Sequence, residues 1–459
     1  MANPQKNKTV IACLSVLIAV LLIADIGVIA ACTRVGKPEK AADTPTESIA
    51  EATEPEETKG PEEPVSTATI LSTGDLLMHK KVIDSGKQED GSYDFTSIFR
   101  YIAPYVQKAD YAIANLETTL CGTDKGYAYS GNPKFNCPDA LVDSAKEAGF
   151  DMLLTANNHS LDTSLVGYKR TLEVVREKGL ETLGTYLTAD EQKWTAIEVN
   201  GIKLGLLCYT YSDGYNPSGN PVLNYNEMTE KGILNYFTYD KLPEFYQEIQ
   251  GYLTEMKAAG VEATILFIHW GTEYALGPDS NQTAMAQAIC DLGIDAIVGG
   301  HPHVVEPMDL LTSTTDPEHK TVVLYSLGNA VSNQRKEEMQ TRNTGETEDG
   351  VLYTLTFGKY QDGTVKLDAA AVLPTWVNMN GNTGKTEYNI LPLDGTQSDT
   401  WAAQFNLTDG QLLSAKASLN RTNQILGQSL TKVQQGLQPQ EPEPEPTTEA
   451  TTETTAAAA

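Results

Sequence analysis

Basic residues are scarce in this chain, and histidine is scarcer still. Lysine and arginine together number 33 in 459 residues, against 61 aspartates and glutamates, which gives a formal net charge of −28. Nucleic acids are held mainly by Lys and Arg on their phosphates, so this balance argues against a nucleic-acid partner. Of the six histidines, five lie near predicted strand ends.

Cysteine is absent from every polar cluster of the sequence, which argues against a structural zinc site built on thiolates. Cys208 and Cys290 stand in apolar patterns and are predicted core residues. Cys121 and Cys137 flank a Gly- and Tyr-rich loop. They either pair as a disulfide, if the chain is exported, or remain two free buried thiols.

The first 34 residues are typical of an export segment. Lys6 and Lys8 precede an apolar run from Thr9 to Ala31, and the run ends at Cys32. The Ile29-Ala30-Ala31-Cys32 string resembles the lipobox of bacterial lipoproteins, in which the cysteine is lipidated. The alternative is an uncleaved transmembrane anchor. Both predict a bacterial membrane protein whose body lies on the extracytoplasmic side.

Composition divides the rest of the chain. Residues 35–66 are rich in Pro, Glu, Thr and Ala, and residues 438–459 carry Pro-Glu and Thr repeats. Both segments are predicted to be disordered, the first as an acidic tether and the second as a tail. Between them we predict one domain at 67–395 and a helical extension at 396–437.

Helical and strand patterns alternate through the body, which predicts an α/β fold with a largely parallel sheet. Predicted strands end at residues 72, 114, 156, 268, 298 and 325, and each is followed by a polar cluster. Ligands of such sheets bind beyond the carboxyl ends of the strands. The clusters are therefore expected to meet in one site.

The clustered side chains suit a metal. They are Asp75, Glu117, Asn158, His159, His269, His301 and His303. Carboxylate, carboxamide and imidazole donors favour divalent Mn, Fe, Zn or Co, and their number favours two ions bridged by a carboxylate. We predict Glu117 as the bridge. The His-x-His pair is expected to be extended, with both rings on one side. Alternatively, His159 caps the next helix or His269 is a core histidine.

Six motifs in order resemble the CapA family, the poly-γ-glutamate capsule synthesis proteins, which are similar to calcineurin-like metallophosphoesterases. The motifs are Gly74-Asp75 with His79, Asn115-Leu116-Glu117, Ala156 to Asp162, His269-Trp270-Gly271, Gly300 to Val304, and Ser326-Leu327-Gly328-Asn329. They span about residues 68 to 375. The resemblance implies a four-layer α-β-β-α metallophosphatase-like sandwich with a two-metal centre.

The resemblance also implies roles for individual residues. Asp75 and His303 would hold one metal, Asn158, His269 and His301 the other, and Glu117 would bridge them, with His159 as general acid. His79, Asp162 and Asn329 are candidate supporting residues. The phosphoesterase pattern begins D-x-H, whereas Leu76-Leu77 follow Asp75 here and leave His79 as the nearest histidine. Glu117 also replaces a bridging aspartate.

The expected function is synthesis, export or processing of an anionic capsular polymer such as poly-γ-glutamate. Components of a membrane synthase are possible further partners. Two alternatives remain open: a phosphoesterase acting on a small molecule or lipid, and a non-enzymatic polymer-binding subunit of the synthase. The sequence leaves open whether the bond attacked is a phosphoester or a γ-linked amide.

Overall fold

A computed structural model describes residues 63–339, 343–381 and 384–438. The predicted export segment with Cys32, most of the acidic tether and nearly all of the tail lie outside these residues. Within the described ranges, none of the helices combines the length and apolar character that crossing a membrane requires.

The strands and helices follow one another along the chain as the alternating patterns predict. The strands are β1 (Ser66–Leu76), β2 (Tyr111–Asn115), β3 (Met152–Leu154), β4 (Glu181–Leu183), β5 (Thr195–Val199), β6 (Ile202–Tyr211), β7 (Val222–Leu223), β8 (Asn226–Glu227), β9 (Tyr236–Phe237), β10 (Ala263–His269), β11 (Ala296–Gly300), β12 (Met308–Thr312), β13 (Lys320–Leu324), β14 (Asn329–Val331), β15 (Asp349–Lys359), β16 (Val365–Asn380) and β17 (Glu387–Pro392). The helices are α1 (Lys80–Gly86), α2 (Thr96–Phe99), α3 (Ala103–Val106), α4 (Ala140–Ala148), α5 (Ser164–Glu177), α6 (Leu242–Ala258), α7 (Ser280–Leu292), α8 (Trp401–Gln404) and α9 (Asp409–Leu437).

Two mixed sheets form the centre of the described body. One has the order β17-β16-β15-β1-β2-β3-β4 with β14 beside β1, and the other β12-β13-β11-β10-β6-β5 with β9 beside β6. Strands β1 to β4 are parallel to one another, as are β6, β10, β11 and β13. Antiparallel β15, β16 and β17 continue the first sheet beyond β1, and antiparallel β5 and β12 lie at the edges of the second, so the largely parallel prediction holds for part of each sheet.

The sheets pack face to face, with helices on both outer faces. Ile70 and Ile113 of the first sheet share one buried cluster with Ile265 and Val298 of the second. Leu71, next to Ile70, points to the opposite face and packs with the residues of α1, α2 and α4. Helices α6 and α7 cover the outer face of the second sheet. This arrangement confirms the four-layer α-β-β-α fold.

Several local predictions are confirmed, and one helix is wrong. Asn200 (φ 52°) and Gly201 (φ 77°) form the expected tight turn between β5 and β6. The sequence pattern from Asp94 to Gln107 predicts a single helix, but the structure has the two short helices α2 and α3 there. Pro104 stands at the start of α3, where it cannot donate the hydrogen bond that would continue an earlier helix.

The loop between Cys121 and Cys137 is closed without a disulfide. Both cysteines are buried free thiols. The Asn136 side chain accepts a hydrogen bond from the Cys121 amide (2.8 Å) and donates to the carbonyls of Gly122 and Ala128. The disulfide alternative is therefore wrong, because a buried carboxamide already ties the loop.

The long helix α9 packs on the described body. Its Leu426 and Val433 join the apolar cluster between the sheets. Arg421 donates two hydrogen bonds of 2.7 Å to the two carboxylate oxygens of Asp349, at the start of β15. This contact explains the helical pattern that the sequence shows near its C-terminal end.

Strand register brings the carboxyl ends of both sheets together. Asp75 pairs with Asn115 of β2 and with Asn329 of β14, and His269 pairs with Gly300 of β11. Gly74 permits this approach, since a Cβ there would lie 1.8 Å from the Gly328 carbonyl oxygen. The polar clusters therefore face one another across the gap between the sheets.

Candidate metal centre

Glu117 lies at the centre of the convergence, two residues beyond β2. Its side chain is fully buried, and neither carboxylate oxygen has a hydrogen-bond partner among the described residues. Oε1 lies 3.4 Å from His269 Nε2, and Oε2 lies 3.9 Å from His303 Nδ1. Burial and then repulsion from the Asp75 carboxylate raise the pKa of Glu117 well above its usual value.

Two groups of possible ligands share Glu117. In one, it lies with His269 and His301; in the other, with Asp75 and His303. The ligand atoms of each group lie within 4.8 Å of one another. Asn158 adjoins the first group, because its Oδ1 lies 2.9 Å from His269 Nε2. The structure thus brings together all six residues predicted as ligands, with Glu117 common to both groups.

Asp75 is held by neighbours from both sheets. Its Oδ1 accepts a hydrogen bond from Asn115 Nδ2 (2.8 Å), and its Oδ2 lies 3.2 Å from His303 Nδ1. Burial alone would raise the Asp75 pKa, but hydrogen bonding and charge from His303 outweigh it and lower the pKa below its usual value. Asp75 is therefore an anionic donor at neutral pH.

His269 and His301 are buried as neutral imidazoles. Burial, the largest cause, lowers the pKa of His269 to about 3 and that of His301 well below its usual value. His301 Nδ1 has no hydrogen-bond partner among the described residues. Tyr211 stacks parallel to the His269 ring and packs against His301. Neutral imidazoles with available lone pairs are good ligands for first-row divalent metals.

The His-x-His segment reaches the site by a different backbone path from the one predicted. His301 (φ 96°) and His303 (φ 57°) both have left-handed backbone instead of extended backbone. Their rings nevertheless converge, with centroids 5.9 Å apart. Non-glycine residues in this region are strained, and such strain concentrates at functional sites.

His159 forms a pair with Asp162 beside the two groups. Its Nδ1 donates to Asp162 Oδ2 (2.7 Å), which leaves Nε2 as the nitrogen that can exchange a proton with a substrate. Asp162 Oδ2 also accepts from the Phe135 amide. Helix α5 begins with Thr163 as N-cap and has no side-chain cap. The capping interpretation of His159 is therefore wrong, and Asp162, whose place just before the helix is also typical of an N-cap, hydrogen-bonds His159 and the Phe135 amide instead.

Two predicted supporting residues lie at different distances from the centre. Asn329 Oδ1 contacts His303 Nδ1 (3.2 Å), and its Nδ2 donates to the carbonyl of Thr347. His79 packs edge-on against Phe135, and its Nδ1 accepts from the Asn333 amide. His79 is in none of the ligand groups of the described residues. It therefore does not complete the Asp75 position in this structure.

The donor set fits divalent metal. A fully buried carboxylate whose two oxygens lack partners is costly unless a cation neutralises it. Carboxylate oxygens with neutral imidazoles match Mn²⁺, Fe²⁺ or Zn²⁺. These donors converge within two overlapping groups, so the chemistry available here is cation binding at the edge where the two sheets meet.

A family profile described as "Bacterial capsule synthesis protein PGA_cap" matches residues 69–334, more than half of the chain. The chain belongs to this family. It is 28% identical over 269 residues to the "Capsule biosynthesis protein CapA" of Bacillus anthracis, which covers 58% of this chain and 60% of that protein. It is 29% identical over 264 residues to the "PGA biosynthesis protein CapA" of Bacillus subtilis (strain 168), covering 57% and 62%. The chain thus spans about three fifths of the length of both relatives.

The PGA_cap match contains every candidate ligand, including one that sequence reasoning missed. Glu273, four residues after His269, forms a third group with His301 and His303. Unlike the other ligands, Glu273 is exposed. The sequence signal that could have identified Glu273 is its spacing of four residues from His269, which keeps the carboxylate near the end of that strand. Asn115, which hydrogen-bonds Asp75, was also missed as a site residue.

Glu273→Gln tests this third group. Removing one anionic oxygen donor is expected to lower the affinity of the full-length chain for divalent Mn or Zn about tenfold, a typical effect for a metal-supporting group. The measurement is competition with a chromophoric chelator. Glu244→Gln on α6, also exposed but in none of the groups, is the matched control. Equal affinity in both variants would contradict a role for Glu273.

Proposed function

We propose that this chain is a membrane-anchored, extracytoplasmic, metal-dependent hydrolase that acts in synthesis, export or processing of an anionic capsular polymer such as poly-γ-glutamate. The names of its two CapA relatives support the polymer. The observation that carries the metal-dependent chemistry is Glu117, fully buried between two histidine-containing groups with neither oxygen hydrogen-bonded within the described structure.

Two overlapping sets of residues would hold the metals. Asp75 and His303 would take one ion, His269, His301 and Asn158 the other, and Glu117 would contact both. Bound divalent cations would supply Lewis-acid activation of water and neutralise charge on the attacked group. Tyr211 packs over the two imidazoles and limits access of bulk water from that side.

His159 supplies the proton that the leaving group needs. Asp162 accepts the Nδ1 hydrogen and so fixes the ring orientation and tautomer. Phe135 packs edge-on against the ring, with centroids 4.6 Å apart, and limits its rotation. General acid chemistry by a positioned histidine is common to phosphoester and amide cleavage. The arrangement therefore serves either bond.

The membrane location rests on the N-terminal segment. Its basic start, its apolar run and its lipobox-like end at Cys32 support lipidation or a single anchor. Export would place the described body where capsular polymer is assembled. Membrane synthase components are the proposed protein partners on that side.

The test uses the full-length chain in mild detergent, loaded with Mn or Zn. Elemental analysis is expected to give up to two ions per chain, and the loaded protein is expected to hydrolyse a γ-linked glutamate oligomer. An aryl phosphodiester forms the second arm of the assay. Activity on the phosphodiester alone would make the chain a phosphoesterase, the second candidate that the metallophosphatase-like fold favours. If the chain binds metal but hydrolyses neither substrate, the proposal of a hydrolase is overturned and the polymer-binding subunit remains.

A further inference from the structure

A small hairpin reaches the His159–Asp162 pair from the insert between β6 and β9, residues 212–235. Strands β7 and β8 pair through Val222↔Glu227 and Leu223↔Asn226. Asn224 (φ 45°) and Tyr225 (φ 65°) form the two-residue turn between them, both with left-handed backbone. Such turns favour Asn followed by Gly, because a side chain at the second position is strained. A tyrosine there is a poor choice for folding alone.

Asn224 fastens this hairpin to the catalytic pair. Its Nδ2 donates to Asp162 Oδ1 (3.1 Å) and to the Pro133 carbonyl (3.2 Å), and it lies 3.3 Å from His159 Nδ1. Asp162 therefore accepts hydrogen bonds on both oxygens, Oδ2 from His159 and the Phe135 amide and Oδ1 from the hairpin. The position of the turn is fixed relative to the proton donor.

Tyr225 projects from the fixed turn into solvent. Its side chain is 94% exposed, the highest value among the exposed large hydrophobic residues of the described structure. Neither packing nor backbone preference accounts for an aromatic ring at this position. Backbone strain of this kind is concentrated at ligand contacts and active sites, and Tyr225 directly follows Asn224, which contacts the His159–Asp162 pair.

Lys134 adds positive charge to the same rim. Lys134 is exposed, and its Nζ donates to Oδ1 of Asn226, the residue directly after the turn (3.3 Å). The loop that carries Lys134 also supplies Pro133, which accepts from Asn224. In a chain of net charge −28, an anionic substrate needs a local positive group to approach the centre. Lys134 provides that charge beside the hairpin that carries Tyr225.

We propose that Tyr225 and Lys134 form a binding subsite for the anionic substrate on the leaving-group side of His159, with Asn224 as the positioning residue that holds the turn there. The lysine pairs with a carboxylate or phosphate of the substrate. The tyrosine ring covers the chain between charged groups, and its hydroxyl donates a hydrogen bond. This inference rests on the proposed function, because it takes the substrate to be the anionic chain cleaved at the centre.

The experiment measures binding by calorimetry with the metal-loaded full-length chain. The probes are a γ-linked glutamate decamer and a linear polyphosphate of matched charge, and the tighter probe identifies the source of the anion. Tyr225→Gly removes the ring and relieves the backbone strain of the turn, so it keeps the hairpin folded. We expect it to weaken binding of the preferred probe about fivefold. Lys134→Glu is expected to weaken it about tenfold at low salt and less at high salt.

Tyr215→Ala is the matched control. Tyr215 belongs to the same insert, but its ring packs on Tyr236 and under Lys241 instead of pointing freely into solvent. It is expected to bind both probes like the wild type. Metal content should be equal in all variants, which separates the subsite from the metal centre.

The outcomes separate the two proposals. If the wild type binds a probe and both Tyr225→Gly and Lys134→Glu bind it equally well, the subsite is overturned and the proposed function stands. A wild-type chain that binds neither probe would overturn both. Weaker binding in the two variants but not in Tyr215→Ala supports the subsite even where no turnover is detected.

Discussion

Glu117→Gln is expected to abolish tight binding of divalent metal while raising the thermal stability of the metal-free protein. The carboxylate belongs both to the group with His269 and His301 and to the group with Asp75 and His303, so its neutral isostere weakens both positions. Without metal, the same carboxylate is buried with both oxygens unpaired, and relieving that cost stabilises the fold by about 1–3 kcal/mol. Calorimetric melting with and without metal measures both effects.

The pH dependence of this effect follows from the raised Glu117 pKa. A folded-state pKa above the unfolded value means that the folded state binds the extra proton. The contribution of Glu117 to stability is therefore full below about pH 4.5, the usual glutamate range, and is lost as pH rises through the folded pKa. The difference in stability between Glu117→Gln and the metal-free wild type should grow over that interval. Added metal should reverse this difference, because tight binding then stabilises the wild type alone.

Glu306→Gln is the control for burial alone. Glu306 is also fully buried, has one oxygen without a partner in the described structure and, mainly through burial, has a pKa raised to about 7. It belongs to none of the ligand groups. The Glu306→Gln substitution should stabilise the metal-free protein by a similar amount and leave the metal affinity unchanged. Tight metal binding by Glu117→Gln would contradict the bridging role.

His159→Ala is expected to lower the turnover of the metal-loaded protein by about 10²–10⁴-fold, the usual contribution of a positioned general acid. The metal content should stay at the wild-type level, because His159 is in none of the ligand groups of the described residues. The loss should fall on kcat more than on KM, since the ring acts through proton transfer. Steady-state hydrolysis of whichever substrate is turned over provides the measurement.

His319→Gln is the control for removing a histidine elsewhere. The His319 ring contacts the Ile294 carbonyl at 3.1 Å, and His319 is absent from the ligand groups of the described structure. It should leave turnover unchanged. If His159→Ala kept activity within about threefold of wild type, too small a change for a general acid, then His159 would have no role in the chemistry.

The sequence was sufficient to place the candidate ligands, because each follows a strand whose apolar pattern marks its end. Once the strands are parallel, their carboxyl ends share an edge, and Asp75, Glu117 and His269 must approach one another. The same reasoning brought His301 and His303 to the site but gave them extended backbone, whereas both have left-handed backbone. It also missed Glu273, because this exposed carboxylate lies four residues beyond His269 and not directly at the end of a strand.

The amino-acid sequence by itself determined the alternation of strands and helices, the order of the motifs and the choice of oxygen and imidazole donors, since these depend on local periodicity and side-chain chemistry. Only the tertiary structure decided that two sheets face each other, that Glu117 lacks hydrogen-bond partners within the described body, and that Asn224 reaches Asp162 from a distant insert. Those facts depend on contacts between residues far apart in the chain, which no local pattern encodes.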